Sequence, residues 1–340
     1  MSPSSTGRLG HGKWPYTQGL HDLGGGCFAY MQPDRPPYSG WSNSGFILDD
    51  GDTLLIDTLR DERLTAAMLR EIEQKTGVAA RDIRRVLNTH RDADHTFGNR
   101  LVEHAEIIAT ETTANNMRER APAVARMRDY VNNRPAGIVG DYIHYTWGPP
   151  FHIEGFEPAM PTSTFSGRKD LRVGSLDVQF IEFGPAHTPS DTIVHVPARR
   201  IVYAADIVFL GNTPAVWAGP ISNWLKALDY LETLDVDIIV PGHGPITDKA
   251  GLAPTRRYLE MVEHEARLRF NKGMSVAEAA RDIDLGEFRT WKAPERILIN
   301  VDTCYRHFRG DKQPTSRPEL DRLIAPLAVE MGSFTPPGHA

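Results

Sequence analysis

The chain has 340 residues, 40% of them hydrophobic and 24% charged, a composition that fits a soluble globular protein and excludes a disulfide miniprotein or a lone zinc finger. A net charge of −6 argues against a nucleic-acid binder, which needs a basic face to displace counterions. The two cysteines, Cys27 and Cys304, are too distant for a disulfide framework or Cys-rich metal site, and no apolar run approaches the roughly 20 residues that span a bilayer.

Residues 1–20 are rich in Gly, Pro and Ser and read as a loose arm. They are polar and lack the apolar stretch of a secretory signal, so the expected location is the cytoplasm. Short β-type runs follow at 27–31, 44–48 and 53–56, the last two separated by the turn pair Asp50-Gly51. Leu64, Met68 and Ile72 recur at helical spacing and predict a helix over 61–75. A short apolar strand over 85–88 then runs into Thr89-His90, with a helix start over 94–101 and another strand over 106–109.

Residues 112–131 carry a long helical pattern. The segment 132–165, full of Pro, Gly and aromatic residues, reads as an unstructured insert or lid. Further strands are expected over 176–183, 192–196, 200–204 and 237–240, with a helix over 223–234 that places Trp224, Leu228 and Leu231 on one stripe. Residues 249–309 are almost entirely helical in pattern, and a Pro-rich, partly disordered tail is expected after 310. Strands followed by helices in each half suggest an α/β protein with two sheets packed face to face and helices outside both, an arrangement that periodicity alone does not separate from a doubly wound sheet.

The chain contains 13 histidines. The densest cluster is His90-Arg91-Asp92-Ala93-Asp94-His95, at the end of a predicted strand, where α/β folds place functional groups. His187 in Gly-Pro-Ala-His-Thr-Pro, Asp206 after Ala204-Ala205, and His243 in Pro-Gly-His-Gly each follow a further β-run. Small neighbours allow close backbone approach there, and imidazoles with carboxylates at such positions point to a metal site. His144, His195 and His264 have no partner spacing of this kind.

From Asp57 in Leu-Leu-Ile-Asp-Thr through these motifs to His243, the chain resembles the metallo-β-lactamase superfamily over roughly residues 25–250. The resemblance implies a four-layer αββα sandwich over 21–250, with the 132–165 insert within it. It leaves a helical C-terminal extension over 251–310 and a tail over 311–340 outside the common core. His90, Asp92 and His187 would form one metal site and Asp94, His95 and His243 a second, with Asp206 bridging and Asp57 a buried support. Zinc is the expected ion, one or two per chain, with iron or manganese as alternatives.

The usual superfamily loop reads His-x-His-x-Asp-His, and here Asp92 replaces the second histidine. An added carboxylate cancels the residual positive charge of a two-metal, hydroxide-bridged centre, weakens it as a Lewis acid and shifts preference toward iron or manganese. The flavodiiron branch carries a carboxylate at this position too, although as Glu, which keeps a diiron redox protein as an alternative. That alternative needs a flavin domain for which this chain has no room. A single ion on Asp94, His95, Asp206 and His243, with Asp92 as general base, is the other arrangement. A non-catalytic metal-binding relative is a third reading.

The expected activity is metal-assisted hydrolysis of a small apolar or aromatic ester, lactone, thioester, amide or carbon–halogen bond, with Asp94 and Asp92 moving protons. A weaker resemblance, in length and aromatic content, is to the zinc-dependent hydrolytic dehalogenase that acts on chlorothalonil. Thr188 and Asp191 are expected to fix imidazole tautomers. Phe209, Asn212, Trp217, Phe151 and His152 are the candidate substrate contacts. Ile297, Val301, Tyr305 and Phe308 form a helical stripe suited to docking on the core or to a homodimer.

Overall fold

The computed structural model describes residues 16–338 except 34, 150, 154, 156, 158 and 312; residues 1–15 of the expected arm lie outside the described residues. The first sheet contains β1 (Gly19–Gly24), β2 (Cys27–Met31), β3 (Ser44–Asp49), β4 (Asp52–Ile56), β5 (Arg85–Leu87), β6 (Glu106–Thr110) and β7 (Ser163–Phe165), side by side in sequence order. It is antiparallel through β4 and parallel from β4 to β7. The second sheet runs β12-β11-β10-β9-β8, from β8 (Arg168–Val173), β9 (Leu176–Phe183), β10 (Asp191–Val196), β11 (Ile201–Phe209) and β12 (Ile238–His243). Only the β11–β12 pair is parallel in it.

Strand periodicity explains the layering. Ile47, Leu54, Ile56, Leu87 and Ile108 face Val178, Phe180, Val194, Val196 and Tyr203 across the space between the sheets. Their neighbours Phe46, Leu55, Val86 and Ile107 turn outward onto Met68, Leu69 and Ile72 of α1 (Glu62–Thr76). Side chains one residue apart on a strand lie on opposite faces, so continuous apolar runs cover both. On the far side Val202, Ala204 and Ile239 meet α5 (Ile221–Thr233), α6 (Leu252–Asn271), α7 (Val276–Asp282) and α8 (Ile297–Arg309). The layers are therefore helix, sheet, sheet, helix.

Several elements differ from expectation. The helix start expected over 94–101 is the single turn α2 (Ala93–Thr96) followed by a 3₁₀ turn, Asn99–Val102. The long helix is α3 (Glu111–Asn132). The expected insert contains α4 (Ile138–Trp147) as well as β7, and the expected tail contains α9 (Arg317–Glu330). These last two helices explain each other: Tyr142 of α4 packs with Ile324, Ala325 and Ala328 of α9 and with Phe334. Neither shows a long periodic run, and each depends on a partner far away in sequence. Pro318 does not oppose α9, because proline is tolerated in a first helical turn, and Ser316 with Glu319 forms a capping box.

The C-terminal helices are also not an appendage. Leu252, Tyr258, Val262, Ile297 and Val301 share one apolar cluster with Phe209 and Trp224. Ile297, Val301 and Tyr305 of the expected stripe are buried in this cluster, with Phe308 packed partly buried against it, so the stripe docks on its own chain. No helix among the described residues is long and apolar enough to cross a membrane.

Candidate metal centre

The ligand-bearing segments meet at one edge of the two sheets. Asp57 follows β4 in a left-handed conformation, φ 61°, which few non-glycine residues adopt and which marks a constrained position. Its Oδ1 accepts the Thr89 backbone N–H at 2.7 Å, and its Oδ2 accepts the Thr89 hydroxyl at 2.6 Å and faces His95 Nδ1 at 2.7 Å. With both oxygens engaged, Asp57 supports the 88–92 loop. Asp206 lies within β11, where the pairing with β12 breaks register and Ala205 takes φ 44°. Gly242 allows β12 to approach it, since a Cβ there would sit 1.9 Å from Asp206 Oδ1.

Hydrogen bonds on the outer side fix every imidazole the same way. His187 Nδ1 lies 2.6 Å from the Ala215 carbonyl, and His243 Nδ1 lies 3.0 Å from the Trp41 carbonyl. Carbonyls only accept, so both nitrogens carry the proton. His95 Nδ1 donates to Asp57. Thr89 gives its one hydroxyl proton to Asp57, so toward His90 Nδ1 at 3.0 Å it accepts. All four rings therefore turn an Nε2 lone pair inward.

What they meet there is a carboxylate. Asp206 Oδ1 is 3.1 Å from His95 Nε2; its Oδ2 is 3.2 Å from His187, 3.4 Å from His243 and 3.8 Å from His90. Asp92 Oδ2 approaches His187 Nε2 at 3.3 Å and Asp94 Oδ2 approaches His243 Nε2 at 3.5 Å. The Nε2 atoms of His90, His95 and His187 and Asp206 Oδ1 are buried with no hydrogen-bond partner. Lone pairs facing one another in a buried space are unfavourable until a cation lies between them. His90, Asp92 and His187 present ligand atoms within 4.8 Å of one another, as do Asp94, His95 and His243. The donor set thus fits a divalent metal site. Among the described residues no such group includes His144, His195 or His264.

Without a cation, protons take up the charge. Burial opposes ionisation of His95, but Asp206 and Asp57 overcome it and raise its pKa well above the imidazole norm. His187, buried but beside Asp206 and Asp92, is raised to about 9. His90 moves the other way, lowered by burial and by His95. Burial disfavours charge on Asp92 and Asp206 too, yet the surrounding histidines hold both well below the usual carboxylate range.

The other predicted positions divide. Thr188 and Asp191 bond each other, Thr188 N–H to Asp191 Oδ2 at 3.0 Å and the hydroxyl to Oδ1 at 2.8 Å, and so staple the loop after His187. They do not fix its tautomer; the Ala215 carbonyl does. Burial raises the Asp191 carboxyl to about 7. Phe209 and Trp217 line the cavity above the centre, and Phe209 stacks on His243 at 4.9 Å. Asn212 instead bonds the Tyr38 carbonyl at 3.0 Å and Arg296 at 3.1 Å. Phe151 is buried against Trp41 at 4.7 Å. His152 is exposed, its backbone N–H donating to Asp61 Oδ2 at 3.0 Å. These three do not line the cavity.

That cavity, of about 390 Å³, has Asp92, Asp94, His187, Asp206 and His243 on its floor and Arg60, Arg91, Arg120, Arg296, Arg306 and Arg317 around it. None of these arginines was foreseen. Only Arg91, inside the ligand loop, carried a local signal. Arg120 reaches Asp92 Oδ1 at 3.3 Å and Arg91 lies 3.9 Å from the same atom, so the extra carboxylate has cations of its own. A second cavity, about 560 Å³, shares Arg91, Ala93, Arg120, Trp147 and Arg317 with the first. Its remaining wall includes Phe97, Met117, Val124, Tyr130 and Met160.

A profile of the metallo-beta-lactamase superfamily matches residues 40–243, more than half of the chain and the whole span from β3 to the last ligand candidate. The chain belongs to that superfamily. This metallo-beta-lactamase-fold chain is 22% identical to the linear primary-alkylsulfatase of Pseudomonas sp. (strain ATCC 19151) over 257 residues, 68% of its own length and 48% of the relative's. The solved stereoselective inverting sec-alkylsulfatase Pisa1 from Pseudomonas sp. superposes with a TM-score of 0.62 at 17% identity, over 93% of this chain and 57% of that one. A metallo-beta-lactamase from Pontibacter korlensis gives 0.52 at 16% identity, over 72% and 99%. The chain spans about half the length of the alkylsulfatases it matches, and structural likenesses this distant establish the fold alone.

Proposed function

We propose that the chain is a metal-dependent hydrolase of anionic esters with an apolar tail, sulfate half-esters of alcohols foremost. The carrying observation is the arginine wall around a His/Asp centre. Two acidic side chains in that wall already have partners: Glu295 accepts from Tyr142 at 3.0 Å and Ser333 at 2.7 Å, and Asp302 from Arg306 at 3.1 Å and Thr315 at 2.8 Å. Arg306 is held by Asp302, Arg317 by Asp321 at 2.7 Å, and Arg91 and Arg120 face Asp92, so among the described residues Arg60 and Arg296 remain without a carboxylate partner, which favours an anion and not the neutral apolar substrate expected from the aromatic residues. The second cavity adjoins the first, and its Phe97, Met117, Val124 and Met160 wall, beyond the arginines that line it, suits a hydrocarbon tail. Two of the relatives named above are alkylsulfatases, in keeping with this substrate class.

His90, Asp92 and His187, with Asp94, His95 and His243 and the central Asp206, would hold the metal, zinc by preference. Their carboxylates also suit manganese or iron. A divalent ion there supplies Lewis acidity and lowers the pKa of water. The protein's own part is to orient and to move protons. Asp94, half-buried on the cavity floor, accepts the proton of the attacking water and returns it to the leaving alcohol. The arginines hold the anionic group, and the buried floor strengthens each charged contact.

Ion chromatography of sulfate released from decyl sulfate tests this, with decyl acetate as the neutral control. Zinc- or manganese-loaded protein is expected to release sulfate, to lose that activity with a chelator and to leave the acetate largely intact. Preference for the neutral ester, or no cleavage of any anionic ester by metal-loaded protein, would contradict it.

A further inference from the structure

Arg60 stands apart among the arginines of the cavity. It lies three residues after Asp57, is only 3% exposed, and its guanidinium is clamped between aromatic rings, with Cζ 3.8 Å from the centroid of Trp147 and 4.5 Å from that of Phe151. Nη2 donates to the Thr146 carbonyl at 3.3 Å, while Nε is buried with no hydrogen-bond partner. The backbone is shaped around it: Gly40 adopts φ +90°, and a Cβ there would lie 1.8 Å from Arg60 Nη1.

Arg296 enters the same cavity and donates to neutral oxygens: Asn212 Oδ1 at 3.1 Å, the Thr213 carbonyl at 2.8 Å and Ser39 Oγ at 3.2 Å. Among the described residues neither guanidinium forms an ion pair with a carboxylate. Burial lowers the Arg60 pKa to about 10; Asp94 and Asp61 act against that, and Arg317 and Arg296 act with it. Burying a cation without a counter-ion destabilises a fold, and a guanidinium fork is shaped to hold an oxyanion by paired hydrogen bonds.

We propose that Arg60, stacked between Trp147 and Phe151 and assisted by Arg296, is the specificity-determining residue that binds the oxyanion of the substrate beside Asp94. This rests on the reading of the substrate as anionic. It also gives Phe151 a role: it orients Arg60 and does not touch the substrate.

The test is calorimetric titration of inorganic sulfate into metal-reconstituted protein, with thermal unfolding and metal content measured on the same samples. Wild type is expected to bind sulfate. Arg60→Met should weaken binding at least tenfold while metal content stays unchanged and Tm is unchanged or higher, because an uncompensated buried charge has been removed. Arg60→Lys, which keeps the charge and loses the fork, should fall between. Unchanged affinity in Arg60→Met, or no sulfate binding by wild type, would overturn the proposal. So would an unfolded Arg60→Met beside an Arg60→Lys that binds like wild type, since Arg60 would then be a structural cation. The hydrolase reading is tested separately. Sulfate binding lost in Arg60→Met, without ester cleavage by metal-loaded wild type, keeps the anion pocket and removes the hydrolase. Cleavage of decyl sulfate with an unchanged KM in Arg60→Met does the reverse.

Discussion

Tautomers decide the chemistry of this centre. Each imidazole spends its Nδ1 proton on an outer acceptor and presents Nε2 to a carboxylate, an arrangement that requires positive charge in the middle. In metal-free protein, protons supply it. The folded-state pKa of His187, about 9, lies above its ordinary 6.5. The stability this contributes is complete below about 6.5 and lost as pH rises through about 9. Thermal unfolding of chelated protein is therefore expected to show Tm falling between about pH 7 and 9, with the metal-loaded form far less affected. Metal binding should release protons in the same interval. A chelated protein whose Tm rises across that range would contradict the assignment. The ligands were legible in the sequence because each sits in a short motif beside a strand end. Arg60 was not, because its significance lies in what it lacks, and a missing ion pair leaves no mark on local sequence.

Among elements, the inner strands were legible from their apolar runs and α1 and α5 from their stripes, since each buries a face on an adjacent layer, whereas the edge strands β1, β7 and β8 carry no continuous apolar run and were not. Helices α4 and α9 were not, because each packs on the other across most of the chain. Helix α9 nonetheless matters to the site: Arg317, Leu320 and Ile324 wall the first cavity, and Ser316, Arg317 and Pro318 wall the second. Ser316→Ala removes the capping box with Glu319 and is expected to cost about 1 kcal/mol of stability in urea unfolding. It should also raise hydrogen exchange in the first turn of α9. Unchanged stability would mean that the packing of Ile324, Ala325 and Ala328 holds the helix alone.

For the whole molecule, the layered sandwich brings loops from both sheets to one edge, and the C-terminal helices close the space above them. The four-layer order was implied by the superfamily resemblance that the ligand motifs carry, since strands and helices alternating in each half also suit a doubly wound sheet. That the C-terminal helices complete the outer layer did not, because their apolar stripes do not name the surface they cover. Two adjoining cavities, the second with an apolar wall of Phe97, Met117, Val124 and Met160 beside Arg91, Arg120, Arg126 and Arg317, predict an amphiphilic substrate. In a series of linear alkyl sulfates, KM should fall about fourfold per added methylene, from about 0.8 kcal/mol each, until the apolar cavity is full. Met117→Arg should flatten that dependence. A KM indifferent to chain length would count against the second cavity as the tail site.

Hydrolysis and anion binding both depend on a metal at the His/Asp centre, and elemental analysis of purified, metal-reconstituted protein tests for it most directly, with Asp92→His and His187→Ala alongside. Wild type is expected to retain divalent metal through desalting, Asp92→His to retain at least as much, and His187→Ala to retain less. Wild-type protein that is folded and carries no metal after reconstitution would contradict a metal centre built from these histidines and aspartates.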